Sequence, residues 1–382
     1  MESAQFRLTP AQSAFCAHVR TLAETELAAL AAAGAPGHVN RPLLAAMGRH
    51  GLLAKLFPGA DVADRRAEAA ALDLCLLRES LAQVSTEAET ALALQGLGTY
   101  PVVQNGTEEQ IARWLPRVVA GTAVAGFALS EPGSGSDAAS LSLAAPPSAD
   151  GWTLTGEKTW ISNAPEADFY SVFARTTADA GARGVTAFLV PADRPGLSGN
   201  RLDMISPHPI GRLTFDAVPV TRADVLGDVD HGFRVAMRTL DLFRPSVGAF
   251  AVGMAQAALN ASITHAGHRK AFGGVLKDLQ SVSHSLAEMA TRLEAARLLV
   301  YSAAEAYDTG ESRIASRSAM AKLFATETAQ FVVDTAVQIH GAIALQQGHL
   351  LEHLYREVRA PRIYEGASEV QRTIIGRELY RG

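Results

Sequence analysis

Trp152-Thr153-Leu154-Thr155-Gly156-Glu157-Lys158-Thr159-Trp160-Ile161-Ser162-Asn163 is the stretch on which the fold turns. Its first four residues alternate in the period-2 manner of a strand with one buried face. Gly156 reads as a turn, after which Thr159, Trp160, Ile161 and Ser162 resume strand character. Further β-branched or aromatic runs occupy 169–174, 185–190 and 213–215. Turn signals separate them at 179–184 and at Pro195-Gly196, and Pro146-Pro147 precedes the first strand. Short strands at this spacing predict an antiparallel β domain over residues 123–228.

On either side the pattern becomes helical. Residues 1–122 are rich in Ala and Leu. Pro42 suits the first turn of a helix carrying Leu43, Leu44 and Met47. Leu74, Leu77 and Leu81 recur at helical spacing with polar residues between them. Beyond 229, Val282, Leu286, Met289, Leu293, Ala296 and Val300 step by four and three into one apolar stripe. Another helix is expected from Arg313 to Gln338, and a last one after Gly366. Gly310 and Gly341 are placed to end helices. The predicted fold is α+β multidomain and mostly α: an N-terminal helical domain (1–122), a middle antiparallel β domain (123–228) and a C-terminal four-helix-bundle domain (229–382).

The 382 residues carry a formal charge of -5, with 48% hydrophobic and 19% charged residues. That composition describes a globular chain rather than a disordered one, long enough for more than one core. The acidity and the lack of a long Lys/Arg run argue against a nucleic-acid partner. The two cysteines, Cys16 and Cys75, make no disulfide framework and read as free thiols. The N-terminal residues lack a signal peptide pattern. The most apolar stretch, 247–259, is interrupted by Gln256 and too short to span a bilayer. A cytoplasmic protein is expected.

Two motifs lack their context. Gly133-Ser-Gly135-Ser-Asp-Ala138 fits the dinucleotide pattern, but Ser-rich residues, Pro146-Pro147 and a strand follow where a crossover helix is needed. His349-Leu-Leu-Glu352-His353 fits an inverted zinc motif, but a third ligand is wanting and a solvated helix face is the plainer reading. No metal site is expected.

Four other segments point one way. The first, 127–137, is Phe-Ala-Leu-Ser130-Glu131-Pro-Gly-Ser-Gly-Ser-Asp, with hydroxyls and exposed N–H groups, and glycines that let backbone approach a flat ligand. In the second, Trp160 offers a flat face and Ser162 a hydroxyl two residues on, thus on the same side of a strand. In the third, Arg269-Lys-Ala-Phe272-Gly273, followed by Leu276 and Gln280, a guanidinium suits a pyrophosphate. The fourth is Gln338-Ile-His-Gly341-Ala342, then Arg356 and Ile363-Tyr364-Glu365-Gly366-Ala367-Ser368-Glu369-Val370-Gln371-Arg372. Glu365, between an apolar pair and a glycine, is a candidate desolvated base. Taken alone it also reads as an acid stabilised by a helix N-terminus.

In this order the segments closely resemble the acyl-CoA dehydrogenase family, most strongly from Gly126 to Arg377. The resemblance implies FAD as cofactor and α,β-dehydrogenation of an acyl-CoA thioester to the trans-2-enoyl-CoA. Phe127, Leu129, Ser130, Gly135 and Ser136 would line the flavin, with Ser136 also near the substrate. Trp160 would pack on the ring, with Ile161 beside it and Ser162 at its N5 edge. Arg269, Phe272, Leu279 and Gln280 would hold the adenine and pyrophosphate end of a neighbouring subunit's FAD. Gln338, Ile339, Gly341 and Ala342 would complete that site, and Ala367, Ser368 and Glu369 would border the cofactor. Asp241, Arg244, Tyr364 and Gly366 would contact the acyl-CoA.

Glu365 matches the family's catalytic base. Some members place the base just before the arginine instead, where this chain has Phe243. The resemblance also implies an electron-transferring flavoprotein as electron acceptor, and a homotetramer or homodimer. The chain departs from the family pattern at Ala367 (for Thr), Val275 (for Pro) and Ala342 (for Gly). Ile343-Ala-Leu345 lacks the usual aromatics, and no Tyr-Gly-Gly loop stands near Pro58-Gly59. A flavin oxidase or monooxygenase on the same scaffold and a non-catalytic nucleic-acid-binding relative are the competing readings. The acid at 365 and the charge of -5, respectively, weigh against them.

Overall fold

The computed structural model describes residues 8–58, 70–311 and 314–380, so that Gly59 and Arg313 lie outside the described residues. Helices α1 (Pro10–Leu22), α2 (Ala28–Ala32), α3 (Arg41–Arg49), α4 (Ala71–Ala82), α5 (Thr86–Asn105) and α6 (Glu108–Val119) come first. Strands β1 (Ala125–Ala128), β2 (Pro147–Ser148), β3 (Gly151–Ser162), β4 (Phe169–Arg175), β5 (Val185–Pro191), β6 (Leu197–Arg201) and β7 (Ile210–Thr221) follow. The chain then enters α7 (Gly232–His268), the short strands β8 (Lys270–Ala271) and β9 (Gly274–Val275), and α8 (Gln280–Asp308), α9 (Ile314–His340), α10 (Leu350–Glu357) and α11 (Ser368–Leu379). The expected order of helices, strands and helices is the observed one. The chain divides into two units, one of Met1–Ala28, Ala70–Glu89 and Asp241–Gly382, the other of Ala29–Ala69 and Thr90–Leu240.

The second unit holds two sheets, ordered β1-β4-β5 and β2-β3-β7-β6. Most pairings are antiparallel, but β1 runs parallel to β4, from Ala125↔Phe169 to Ala128↔Val172. The sequence reading missed β1 and β6, which are four and five residues long. Gly156 proves to be no turn: β3 runs through it, with φ +138 at a register shift against β7. A bulge needs one residue of unusual φ, and glycine supplies it without a Cβ clash. Pro147 lies within a strand at the sheet edge, where its missing N–H breaks no ladder. Helix α6 opens with a Thr107–Gln110 capping box and buries Ile111, Trp114, Leu115 and Val118. The Trp114 ring lies 4.5 Å from that of Phe169.

The first unit is helical. Pro42 and the Asn40 cap belong to the other unit's α3, where Leu43, Leu44 and Met47 are buried as expected. In α4, Leu74, Leu77 and Leu81 are buried too, but so are Arg78, Glu79 and Ser80 between them. The polar positions of α4 are therefore an internal network rather than a wet face. Glu79 accepts hydrogen bonds from Arg297 Nε at 3.0 Å and Tyr301 Oη at 2.6 Å, both on α8. The N-terminus of α4 has Ala70 at its cap position. Asp308 of α8 takes over, accepting from Ala71 N at 2.6 Å and Leu72 N at 3.0 Å. Asp308→Ala should therefore cost about 1 kcal/mol, read as a lower urea midpoint with an unchanged slope.

Along α8 the predicted stripe buries Met289, Leu293, Ala296 and Val300, while Val282 and Leu286 near its start are half-buried. Gly310 and Gly341, each at φ +69, follow α8 and α9 in the left-handed position that ends helices. The apolar 247–259 stretch belongs to a far longer element than expected. Helix α7 has 37 residues and is long and apolar enough to cross a membrane. Its most apolar window is, however, 72% buried inside the protein, which marks a core helix. At Gly253 a Cβ would come within 2.6 Å of Ala82 and of the Glu79 carbonyl, so glycine lets α7 approach α4. Cys16 and Cys75 are buried free thiols.

Candidate active site

Between α10 and α11 the backbone passes through two successive left-handed residues, Glu365 at φ +51 and Gly366 at φ +92. That conformation is strained for a residue with a Cβ and persists only where the surroundings hold it. Two buried side chains do so. Lys322 Nζ of α9 donates to the Gly366 carbonyl at 2.6 Å, and Gln371 Nε2 of α11 donates to the same oxygen at 2.8 Å. The loop aims Glu365 inward. Its Oε2 is closed off from solvent and has no hydrogen-bond partner.

Glu365 keeps charged company. Desolvation pushes its carboxyl above the usual range, opposed by Arg78, Lys322 and Arg244 and assisted by Glu89. Glu365 lies two residues ahead of Ala367, the cap of α11, and its Oε2 accepts no hydrogen bond from the N–H groups of that helix. Arg78 is buried against Glu89, which its Nε contacts, and its Nη1 donates to Ser246 Oγ at 2.6 Å. Arg244 Nη1 lies 2.6 Å from Asp241 Oδ1, one helical turn away on α7. Burial raises the Asp241 carboxyl, with Arg244 pulling the other way. Tyr364 remains 37% exposed. Asp241, Arg244, Tyr364, Glu365 and Gly366, named from sequence, thus occur in one unit. Arg78, Glu89 and Lys322 were missed, and Gln371, though part of the fourth segment, was given no role. The available signal was a charge isolated in an apolar helix, as in Ser318-Ala-Met-Ala-Lys322-Leu-Phe-Ala325.

In the β-containing unit the first two segments are joined. Thr159 N donates to the Ser130 carbonyl at 3.0 Å. Lys158 Nζ, fully buried, reaches the Leu129 carbonyl at 2.9 Å and Glu131 Oε1 at 2.8 Å. Glu131 also accepts from Ser142 N, Ser142 Oγ and Leu143 N. Phe127 is half-buried, its ring 4.9 Å from that of Phe173. Gly135 and Ser136 are exposed, Ser130 is half-buried and Leu129 is buried. Asp137 leads into a short 3-10 turn, Ala138–Ser140, and not into the helix a dinucleotide motif requires.

Trp160 sits at φ +56 where the register shifts between Lys158 and Ile161. The alternation assumed for Trp160 and Ser162 is therefore interrupted by a bulge just ahead of Ile161. Trp160 is 51% exposed and Ser162 half-buried, whereas Ile161 is 1% exposed. The Ile161 side chain is a core residue, which leaves its backbone as the part a ligand can reach.

The third segment is a hairpin. β8 and β9 are joined by Phe272 (φ +52) and Gly273 (φ +83), and Phe272 stands 91% exposed at the tip. Arg269 and Gln280 are exposed, and Leu279 is half-buried at the cap of α8. Gln338, Gly341 and Ala342 are exposed and Ile339 is half-buried at the end of α9. His265 of α7 stacks on His340 of α9 with centroids 4.1 Å apart, so these two helix ends lie side by side. Ala367 caps α11 without a side-chain bond. Ser368 is buried and donates to Glu327 at 2.7 Å, while exposed Glu369 pairs with Arg372. His349 and His353 are not on a solvated face: both are half-buried. His349 caps α10, and His353 Nε2 lies 2.6 Å from Thr86 Oγ1.

The chain matches the N-terminal, middle and C-terminal domain families of acyl-CoA dehydrogenases over residues 9–122, 126–218 and 230–380. It belongs to the acyl-CoA dehydrogenase family. This acyl-CoA dehydrogenase family member is 36% identical over 383 residues to the probable acyl-CoA dehydrogenase fadE25 of Mycobacterium leprae, covering 98% of this chain and 97% of that one. It is 32% identical over 367 residues to the cyclohexane-1-carbonyl-CoA dehydrogenase of Geobacter metallireducens, covering 95% and 96%. The solved structure of butyryl-CoA dehydrogenase from Megasphaera elsdenii gives a TM-score of 0.90 at 32% identity, covering 99% of this chain and 100% of that one. Members of the acyl-CoA dehydrogenase family bind FAD. The residues present fit such a group: the Trp160 indole stands half in solvent at a strand bulge, a face on which a flat ring can pack.

Proposed function

We propose that this chain dehydrogenates an acyl-CoA thioester between its α and β carbons, with Glu365 as the base that takes the α-proton. The observation that carries the reading is Glu365 Oε2, a desolvated oxygen without a partner, held in a strained loop by two donors. A carboxylate stripped of water gains basicity, which is what removal of a weakly acidic C–H demands. The backbone N–H of Glu365 is proposed as one donor to the thioester oxygen, where charge develops. Asp241, Arg244, Ser136, Tyr364 and Gly366 are assigned to the acyl-CoA.

FAD, when bound, supplies a hydride acceptor for the β-hydrogen. Phe127, Leu129, Ser130, Gly135, Ser136, Trp160 and Ser162, with the Ile161 backbone, are assigned to its ring. Arg269, Phe272, Leu279, Gln280, Gln338, Ile339, Gly341, Ala342, Ala367, Ser368 and Glu369 are assigned to the rest, partly across a subunit boundary. The exposure of Phe272 and Arg269 among the described residues supports that division. A homotetramer or homodimer in the cytoplasm, passing electrons to an electron-transferring flavoprotein, completes the proposal.

The direct test is anaerobic mixing of the FAD-loaded protein with a panel of straight, branched and cyclic acyl-CoAs. Bleaching of the flavin absorbance by at least one is expected, and none by any would overturn the reading. The pH dependence has a definite sign. The base must be ionised, so kcat/KM falls as pH drops through the Glu365 pKa, which desolvation raises above the ordinary carboxylate range. A profile flat down to pH 4.5 would contradict a desolvated base.

A further inference from the structure

Lys322 lies inside α9 with 0% of its surface exposed. An ammonium is seldom taken out of water without a counter-ion, because the desolvation cost is large. The other cations beside Glu365 have their own: Arg78 contacts Glu89, and Arg244 contacts Asp241. Among the described residues Lys322 has no carboxylate within ion-pair distance, and its hydrogen bond goes to the Gly366 carbonyl instead. The other charges that face it are engaged elsewhere. Glu327, on its own helix, pairs with Arg362 and accepts from Ser368, and Glu369 of α11 pairs with Arg372. Glu365 is the carboxylate left for Lys322 to balance. The clamp on the loop is also tight, since a Cβ at Gly366 would come within 2.4 Å of Gln371 Nε2.

We propose that Lys322 is the positioning residue of the base: it fixes the Glu365-Gly366 turn through the Gly366 carbonyl and provides the counter-charge that keeps the Glu365 carboxylate ionised. Gln371 shares the first task and, being neutral, has no part in the second. The two groups act on each other. Burial pulls the Lys322 ammonium down to about 8, and Glu365 is the largest influence holding it up. The cluster of Arg78, Glu89, Asp241, Arg244, Lys322 and Glu365 thus sets the base between desolvation, which neutralises it, and three cations, which do not; of these Lys322 is the one without an ion-pair partner of its own.

The inference rests on Glu365 being the base, so Glu365→Gln is run beside it. kcat/KM is measured against pH for the FAD-loaded wild type and for Lys322→Met, Lys322→Arg and Gln371→Met, with an acyl-CoA that bleaches the flavin. Lys322→Met is expected to lose on the order of tenfold at neutral pH and to regain it as the pH rises, because the acid limb has moved upward. Lys322→Arg, which keeps the charge, is expected to leave the limb near that of the wild type. Gln371→Met is expected to lower kcat without moving the limb. An equal loss at every pH in Lys322→Met overturns the counter-charge role, as does the same limb shift in Gln371→Met. Should Lys322→Met fail to fold, Lys322→Gln, which keeps a donor for the carbonyl but no charge, carries the same comparison. Turnover retained in Glu365→Gln would instead sink the reading of the base itself.

Discussion

Glu365→Gln is expected to lower kcat by on the order of 10²–10⁴-fold and, at neutral pH, to raise the melting temperature. Both effects follow from one circumstance, that Oε2 of a half-buried carboxylate is closed off from solvent without a hydrogen bond. An amide cannot take a proton from carbon, hence the rate. The stability follows from linkage. The folded-state pKa of Glu365 lies above its ordinary value, so the group's contribution to stability is fully present below the unfolded pKa and is lost as pH rises through the folded one. At neutral pH the wild type therefore carries a carboxylate that the fold disfavours, and the neutral isostere relieves it. The gain should shrink as the pH is lowered, which thermal melts of both proteins at acid and neutral pH would show. Loss of activity together with loss of stability at every pH would mean that Glu365 is a structural ion-pair member. Sites built for chemistry commonly trade stability in this way.

Arg78→Met is the change expected to damage the fold most. Arg78 and Glu89 are 3% and 0% exposed, so the substitution takes the guanidinium away from the Glu89 carboxylate and from Ser246 Oγ, which keeps its bond to the Phe243 carbonyl. Removing one member of such a buried pair costs about 3–5 kcal/mol. Denaturant unfolding should show that loss in the midpoint. The double variant Arg78→Met/Glu89→Gln should recover a substantial part, because the buried negative charge is gone. A loss below about 1 kcal/mol in the single variant would mean that Glu89 is satisfied without Arg78. Arg78 is also the largest influence opposing the upward shift of Glu365, so the variant's pH profile should move in the same sense as that of Lys322→Met.

Much of this was legible in the residues themselves. The stripe from Met289 to Val300, the helix stops at Gly310 and Gly341, the strands at 169–174 and 185–190 and the helix after Gly366 all stand where the periodicities put them. Those patterns report which side of an element meets apolar surroundings, and that is a local property of the chain. Four motif segments in a fixed order identified the family, and one of them singled out Glu365. Where local reading failed, a long-range pairing had decided the matter. Gly156 and Trp160 belong to one strand because β7 lies alongside and absorbs two register shifts. Arg78, Glu79 and Ser80 are interior because α1 and α8 both pack on α4.

Sequence by itself determined the succession of helices and strands, the family, and the one acid at the expected place, because spacing and residue type carry that information along the chain. Only the tertiary structure decided that one oxygen of this acid is cut off from water, that its loop is gripped through the Gly366 carbonyl, and that three cations from separate helices act on it. Desolvation and Coulomb interaction depend on which atoms are adjacent in space, and adjacency between residues far apart in the chain leaves no mark on either residue's neighbours in sequence.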